Sequence, residues 1–399
     1  MAAEESLTQP HEPEPLFSFP ELELRRAYPQ PLETYIRTIY EDLFRLRTEH
    51  VAAILLVNFR EIKPNGALGP GNDPCAVFND PGWLKGTLNS IDAFCKRYML
   101  HLDTENVAHQ DWGHALPETL ELWKGNEINT DDLTSDFRAQ DYDSHFRTDA
   151  GLQDYPQDTV EEDKCRNRDG NVCVVTGKAN PKIFWFFPST LNNTVIRNDM
   201  TGNLAGSGEL IADIDLTTIR RPNPFCNKRQ LGGSHKAWNM ICIDPAIYKP
   251  LTSGLCAFKH YEDAKLQYGN VKVALQFYWM PRTKGRFGQP FDMENDWQHL
   301  MDELQASQDK SYPPPSSCEN EPTTTSGEPL RSGHLIHVIV PDQDVRYLKS
   351  AVKVHWACSM FTSLCGASGR PYLLSGKEYD NPIMHRVQHQ AIWEEQGDN

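Results

Sequence analysis

Between residues 271 and 279, Val271, Val273, Leu275, Phe277 and Trp279 alternate without interruption with Lys272, Ala274, Gln276 and Tyr278. Side chains two apart on an extended chain share a face, whereas a helix would scatter these five around its axis. The run therefore predicts a half-buried β-strand, and a strand needs partners. Shorter apolar runs at residues 172–176, 183–187, 240–243, 255–259 and 335–340 supply candidates. Other stretches carry helical spacing. Leu32, Tyr35, Ile36, Ile39, Leu43 and Leu46 predict one helix over 32–50, and residues 51–59 either continue it or form a buried strand. Leu88, Ile91, Phe94, Cys95 and Met99 predict a second helix over 84–102. Further helices are expected at 159–168, at 345–364 and just after Asp244-Pro245, a capping residue followed by proline. Strands and helices in segregated blocks indicate an α+β fold.

The 399 residues divide by composition into five stretches. Residues 1–30 read as a disordered acidic leader and 31–155 as a helical N-terminal region with a polar connector after 103. A β-rich block covers 156–281, interrupted by a polar insertion at 189–237 whose glycine-rich part, 202–208, is expected to be a flexible tip. Residues 282–333 read as a polar, low-complexity linker, and 334–399 as a C-terminal strand and helix.

There are 39 Lys and Arg against 55 Asp and Glu, a formal charge of −16. Such a chain has no long-range field for phosphate backbones, so non-specific nucleic-acid binding is disfavoured. The basic residues Arg220, Arg221, Lys228, Arg229, His235 and Lys236 fall close together but read as a solvated loop. The apolar run at 51–57 is too short to span a bilayer, and no membrane association is expected. The first 15 residues lack the apolar segment of a secretory signal, so the Asn192-Asn193-Thr194 sequon is not expected to be used. None of the ten cysteines forms a Cys-x-x-Cys pair, which argues against a zinc ribbon and for reduced thiols in cytosol or nucleus.

One stretch is more specific: Arg168-Asp169-Gly170-Asn171-Val172-Cys173-Val174-Val175-Thr176-Gly177. It is followed by Ile183-Phe184-Trp185-Phe186-Phe187-Pro188, by Asn239-Met240-Ile241-Cys242-Ile243-Asp244-Pro245-Ala246-Ile247-Tyr248, by Gly254-Leu255-Cys256-Ala257-Phe258-Lys259, and by the strand that closes at Trp279-Met280-Pro281. This series resembles the fungal branch of the HNH endonuclease superfamily, over roughly residues 165–281. The resemblance implies a ββα-metal core, here extended by a small antiparallel sheet and flanked by helical segments. In that family a strand-end His acts as general base, an Asn braces the loop, and a helix His holds a divalent cation.

The corresponding positions here are Trp185, Asn239 and Tyr248. Indole nitrogen only donates, and a phenol with a pKa near ~10 is a poor ligand for a divalent metal at neutral pH. Hydrolytic chemistry is therefore not expected at these positions, and no cofactor is. A divalent metal enters only if His235, Asp244, Asp213, Asp215 or His260 rebuild a site, although Asp244 reads better as a helix cap, His260 as an exposed loop residue, and Asp213 and Asp215 as one face of a strand edge. Trp185 reads foremost as core filling in place of the missing histidine. The alternative is an aromatic pocket of Trp185, Tyr248 and Trp238 for a flat small molecule.

Other histidines carry less. His109 and His114 are five apart, His334 and His337 have opposite parity on a strand, and His385 and His389 lack the carboxylate of a metalloprotease helix. The expectation is a degenerate HNH-type protein acting as a binding or scaffolding module, for a small molecule, a protein or a nucleic acid. The first alternative is a cleft reused for a tailoring or cyclisation step in fungal specialised metabolism, which the resemblance alone suggests, with His235, Asp244 and Tyr248 as acid/base groups. The second is a nuclease with a displaced metal site.

Overall fold

A computed structural model describes residues 15–69, 80–103, 106, 158–214, 216, 223–227, 230–309, 312–315, 321–370 and 374. The expectations for most of the connector after 103, for His109 and His114, for His385 and His389, for Asp215, and for Arg220, Arg221, Lys228 and Arg229 lie outside the described residues. The architecture is α+β, with helices interleaved among two small antiparallel sheets.

Three helices open the described chain: α1 (Phe19–Arg25), α2 (Pro29–Ile39) and α3 (Thr48–Leu56). The expected leader therefore already holds a helix by Phe19. The single helix expected over 32–50 is broken in two, because the Leu46 N–H donates to Glu33 Oε2 at 3.0 Å and so folds the chain back over α2. Residues 51–56 continue as helix rather than strand. Helix α4 (Pro81–Leu100) starts on Asp80, whose carboxylate accepts the Trp83 N–H, with Pro81 in the first turn.

Helix α5 (Thr159–Arg168) falls where the sequence places it. Next comes the hairpin of β1 (Lys182–Trp185) and β2 (Met240–Ile243), in which Lys182 faces Ile243 and Trp185 faces Met240. Between them lies α6 (Val195–Ala212), so the glycines at 202–208 are helical and not a loop tip. Gly208 shows why so small a residue sits there. A Cβ on it would lie 2.6 Å from Phe94 Cζ, so this glycine lets α6 approach α4 closely. Ile211 and Ala212 end this helix, and Asp213 takes the left-handed C-cap, so the strand expected around Asp213 does not form.

Helix α7 (Pro245–Thr252) follows β2 directly. The second sheet has the order β3 (Cys256–Lys265), β4 (Asn270–Trp279), β5 (Leu335–Pro341), antiparallel throughout. β4 is its centre, as the alternation requires, with Phe277 opposite Phe258 and Leu275 opposite Ile336. Its other face is buried as well from Ala274 onward, because Tyr278 packs edge-on to Trp356 and its hydroxyl donates to Gln276 Oε1 at 2.6 Å. β3 carries a bulge between His260 and Glu262, and its far half bears Glu262, Asp263 and Lys265. His260 lies in this strand and not in a loop.

Residues 282–333 are not a plain linker. They contain α8 (Asp296–Ser307), which buries Trp297, Leu300 and Leu304. Helix α9 (Val345–Leu364) matches its expected bounds and packs against β3, α3, α4 and α6. One continuous apolar cluster runs from Phe17 to Leu374, joining all five compositional stretches. No described helix is long and apolar enough to cross a membrane.

Candidate functional site

β1, β2 and α7 stand in the order strand, strand, helix, and the residues of the specific motif hold them together. Residues 172–176 are not a strand. Cys173 Sγ accepts the N–H groups of Val175 and Thr176 at 3.4 and 3.3 Å, and the turn closes with Gly177 N–H to Cys173 O at 2.8 Å. Gly177 has φ +69°, a left-handed conformation that suits glycine. Thr176 then donates its hydroxyl to Asp244 Oδ2 at 3.2 Å.

Asp244 caps α7, its Oδ1 accepting the Ala246 N–H at 2.9 Å. Burial opposes its ionisation, but the Ala246 N–H, Lys178 and Thr176 outweigh that and hold its carboxyl below the usual carboxylate range. Arg168 and Asp169 form a brace. Arg168 bonds Asp169 through Nε at 2.6 Å and Nη2 at 3.0 Å, and donates to the carbonyls of Ala237 and Met240 at 2.8 and 2.6 Å. Asp169 Oδ2 accepts the Cys242 N–H at 2.8 Å, so α5 is pinned to β2.

Asn239 is fully buried. Its Oδ1 accepts the Phe187 N–H at 2.8 Å, and its Nδ2 donates to Phe187 O at 2.7 Å and Ser234 O at 3.1 Å. The side chain thus ties the chain leaving β1 to the chain entering β2.

Trp185 and Tyr248 do not meet. Side chains alternate across a strand. Ile183 and Trp185 face a small cluster of Cys165, Met240 and Cys242. Phe184 and Phe186 face the main core, and Tyr248 packs edge-on to Phe184 at 6.3 Å with Lys182 Nζ 4.8 Å from its ring. Trp185 has His235 as ring neighbour at 5.5 Å. Trp238 stands elsewhere again, between Phe225 and Tyr347. The aromatic pocket of Trp185, Tyr248 and Trp238 is therefore not assembled.

The acid/base candidates diverge in the same way. Burial lowers the affinity of His235 for a proton, although its contact of 2.8 Å with Ser189 O works the other way. Asp244 is committed to its cap, and Tyr248 lies across the strand from His235. His260 bonds Asp263 at 2.8 Å. Trp185 offers only an N–H donor and Tyr248 a phenol, so neither suits a divalent cation. Among the described residues, the group with the donor types and spacing for a metal is Cys165, Asp169 and Cys242, within 4.8 Å of one another. There the Arg168 guanidinium already supplies the positive charge, bonded to Asp169 and 3.4 Å from Cys165 Sγ.

A second concavity lies away from the motif. A cavity of about 270 Å³ opens between α3, α4 and the 288–290 turn, lined by Glu41, Arg45, Arg47, His50, Lys85 and Asn89 among others. His50 Nδ1 accepts the Arg47 N–H at 3.2 Å, and its Nε2 lies 3.2 Å from Arg47 Nη2 and 3.1 Å from Asn89 Oδ1. Further along α4, Asp92 and Lys96, both buried, pair at 2.7 Å. Sequence reasoning missed these residues. The signal was present: Asn89, Asp92 and Lys96 share one stripe of a helix otherwise read by its apolar residues.

Compared with protein-family models, with curated proteins and with solved structures, the chain matches none of them.

Proposed function

We propose that the chain is a degenerate HNH-type protein that binds a ligand and has no metal-dependent phosphodiesterase activity. The observation that carries this reading is the placement of Trp185 and Tyr248 on opposite faces of β1. A general base and a metal ligand must converge on one phosphate, and these positions diverge. The brace at Asn239 and the Arg168–Asp169 pair support the framework reading, because they hold strands and helix together without any chemistry of their own.

A small polar molecule is the favoured ligand among the three classes. The cavity beside Arg45, Arg47, His50, Lys85 and Asn89 is small and lined by charged and polar side chains, whereas the charge of −16 opposes a polyanion.

The test is plasmid nicking by the purified chain with Mg²⁺, Mn²⁺, Zn²⁺ or EDTA, beside a Trp185→His/Tyr248→His double variant. Both proteins are expected to be inert, since the two new imidazoles would face opposite sides of β1. Cleavage that EDTA abolishes, in either protein, overturns the reading.

A further inference from the structure

The small cluster behind Trp185 holds two thiols that no step above uses. Cys165 on α5 and Cys242 on β2 are both fully buried, and their sulfurs lie within 4.8 Å of each other and of the Asp169 carboxylate. Arg168 Nη2 donates to Cys165 Sγ at 3.4 Å. The Cys165 thiol lies 3.7 Å from Asp169 Oδ2 as well as beside Cys242. The interaction between the two thiols pulls Cys242 below its ordinary value and, with burial, pushes Cys165 up. Arg166 near Cys242 and Arg168 beside Cys165 favour the thiolate that thiol–disulfide exchange needs, against the opposing Asp169 carboxylate.

Access is the second requirement, and α5 provides it. Of its ten residues only Glu161 and Cys165 are buried, and Val160 is 62% exposed. The helix is attached through the Arg168–Asp169 brace and through Glu161 Oε2, which accepts the Ala237 N–H at 2.9 Å. An element held by few apolar contacts opens locally more readily than the core. A second group of thiols offers a contrast inside the same molecule. Cys95, on α4, faces Cys358 and Cys365 at α9, where burial and the neighbouring thiols raise the Cys95 thiol well above its ordinary value. That group sits between two twenty-residue helices of the main core.

We propose that Cys165 and Cys242 are a reversible thiol–disulfide modification site, oxidised by a small disulfide of the glutathione class, which locks α5 onto β2. The Cys242 thiolate attacks one sulfur of the small disulfide, forming a mixed disulfide and expelling one thiolate. Cys165 then gives up its proton, attacks Cys242 Sγ, forms the internal S–S bond and expels the second thiolate. Two protein thiols are oxidised by two electrons, and one small disulfide is reduced to two thiols. Side-chain rotation and a shift of α5 bring the sulfurs to the bonding distance of about 2.05 Å.

The experiment incubates the full chain at stepped ratios of reduced to oxidised glutathione, blocks free thiols, and digests without reduction for mass spectrometry. The expected product joins the peptides containing Cys165 and Cys242, lacks two hydrogens and disappears with dithiothreitol. The Cys165→Ser variant is expected to trap a glutathione adduct on Cys242, with circular dichroism of each species verifying the fold. Absence of the cross-link at every ratio in folded protein overturns the proposal. So does a Cys95–Cys358 cross-link appearing at the same ratio, which would mean global opening. Stoichiometric zinc in the purified chain, released as the two thiols are alkylated, would likewise overturn it by making the pair a metal site.

Discussion

The two faces of the β1–β2 hairpin are held by different physics. On one, Phe184 and Phe186 meet Phe258, Tyr248 and His355, so volume and dispersion dominate. On the other, Ile183 and Trp185 cover a cluster held by the ion pair of Arg168 and Asp169, two thiols and three charge-assisted bonds from that pair to backbone. The first face belongs to the main core. The second is a small polar joint between the hairpin and a largely exposed helix. Specific sequence words mark the polar joint, while the apolar face is written only as hydrophobicity.

The largest test of that difference sets Arg168→Leu against Phe184→Leu. Removing Arg168 strands a buried Asp169 carboxylate, a loss of about 3–5 kcal/mol by the usual cost of breaking a buried pair. Phe184→Leu keeps the apolar character but removes part of a buried ring, a loss of about 1–2 kcal/mol by the burial and cavity terms. Urea melts of both variants decide the matter, and equal losses would remove the distinction between the faces.

A second test uses pH on the apolar face. His355 is fully buried against Phe184 and Phe186, with Nδ1 3.0 Å from the Tyr98 hydroxyl, which itself donates to Phe186 O at 2.5 Å. Burial lowers its pKa from the model-peptide 6.5 to about 3. The unfolded imidazole takes up a proton near pH 6.5 and the folded one does not until near 3. Its contribution is thus complete above 6.5 and is lost as pH falls toward 3, by about 2 kcal/mol at pH 5. Chemical melts of wild type and His355→Leu between pH 7 and 5 should show a slope in the first that is reduced in the second. Parallel slopes would refute a buried neutral imidazole.

The smallest effect concerns the helix that closes the ββα unit. Asp244→Ala removes the α7 cap and the partner of Thr176, at a cost of about 1 kcal/mol. Thermal melts would register it, while a change in ligand binding with no change in stability would return Asp244 to the acid/base candidates.

Much of the fold was legible where one residue has one strong local reason. Asp244-Pro245 predicted α7, the alternation through Trp279 predicted β4, and α5 and α9 fell on their expected bounds. Local patterns misled where tertiary partners decide. Val172 to Thr176 is rich in β-branched residues, yet the Cys173 sulfur and the left-handed Gly177 curl it into a turn. The glycines of α6 signal a loop until Phe94 is seen to need the space above Gly208. For the site, Asn239 was legible as a brace, but the facing of Trp185 was not. Motif spacing places a residue along a strand, and the strand's parity relative to its helix decides which side it serves.

The bulge in β3 bears on how this chain survives its own concentration. Among the described residues β3 and β5 are the outer strands of the second sheet, and an outer strand invites strand addition from another copy. The kink at His260–Glu262 throws the hydrogen-bonding groups of β3 out of line, while Glu262, Asp263 and Lys265 put charge where an incoming strand would have to lie. Lys349 from α9 then grips Asp263 at 2.7 Å and partly roofs the rim. That same irregularity, which costs a rung of the ladder, sets the β3 edge against amyloid-style self-templating.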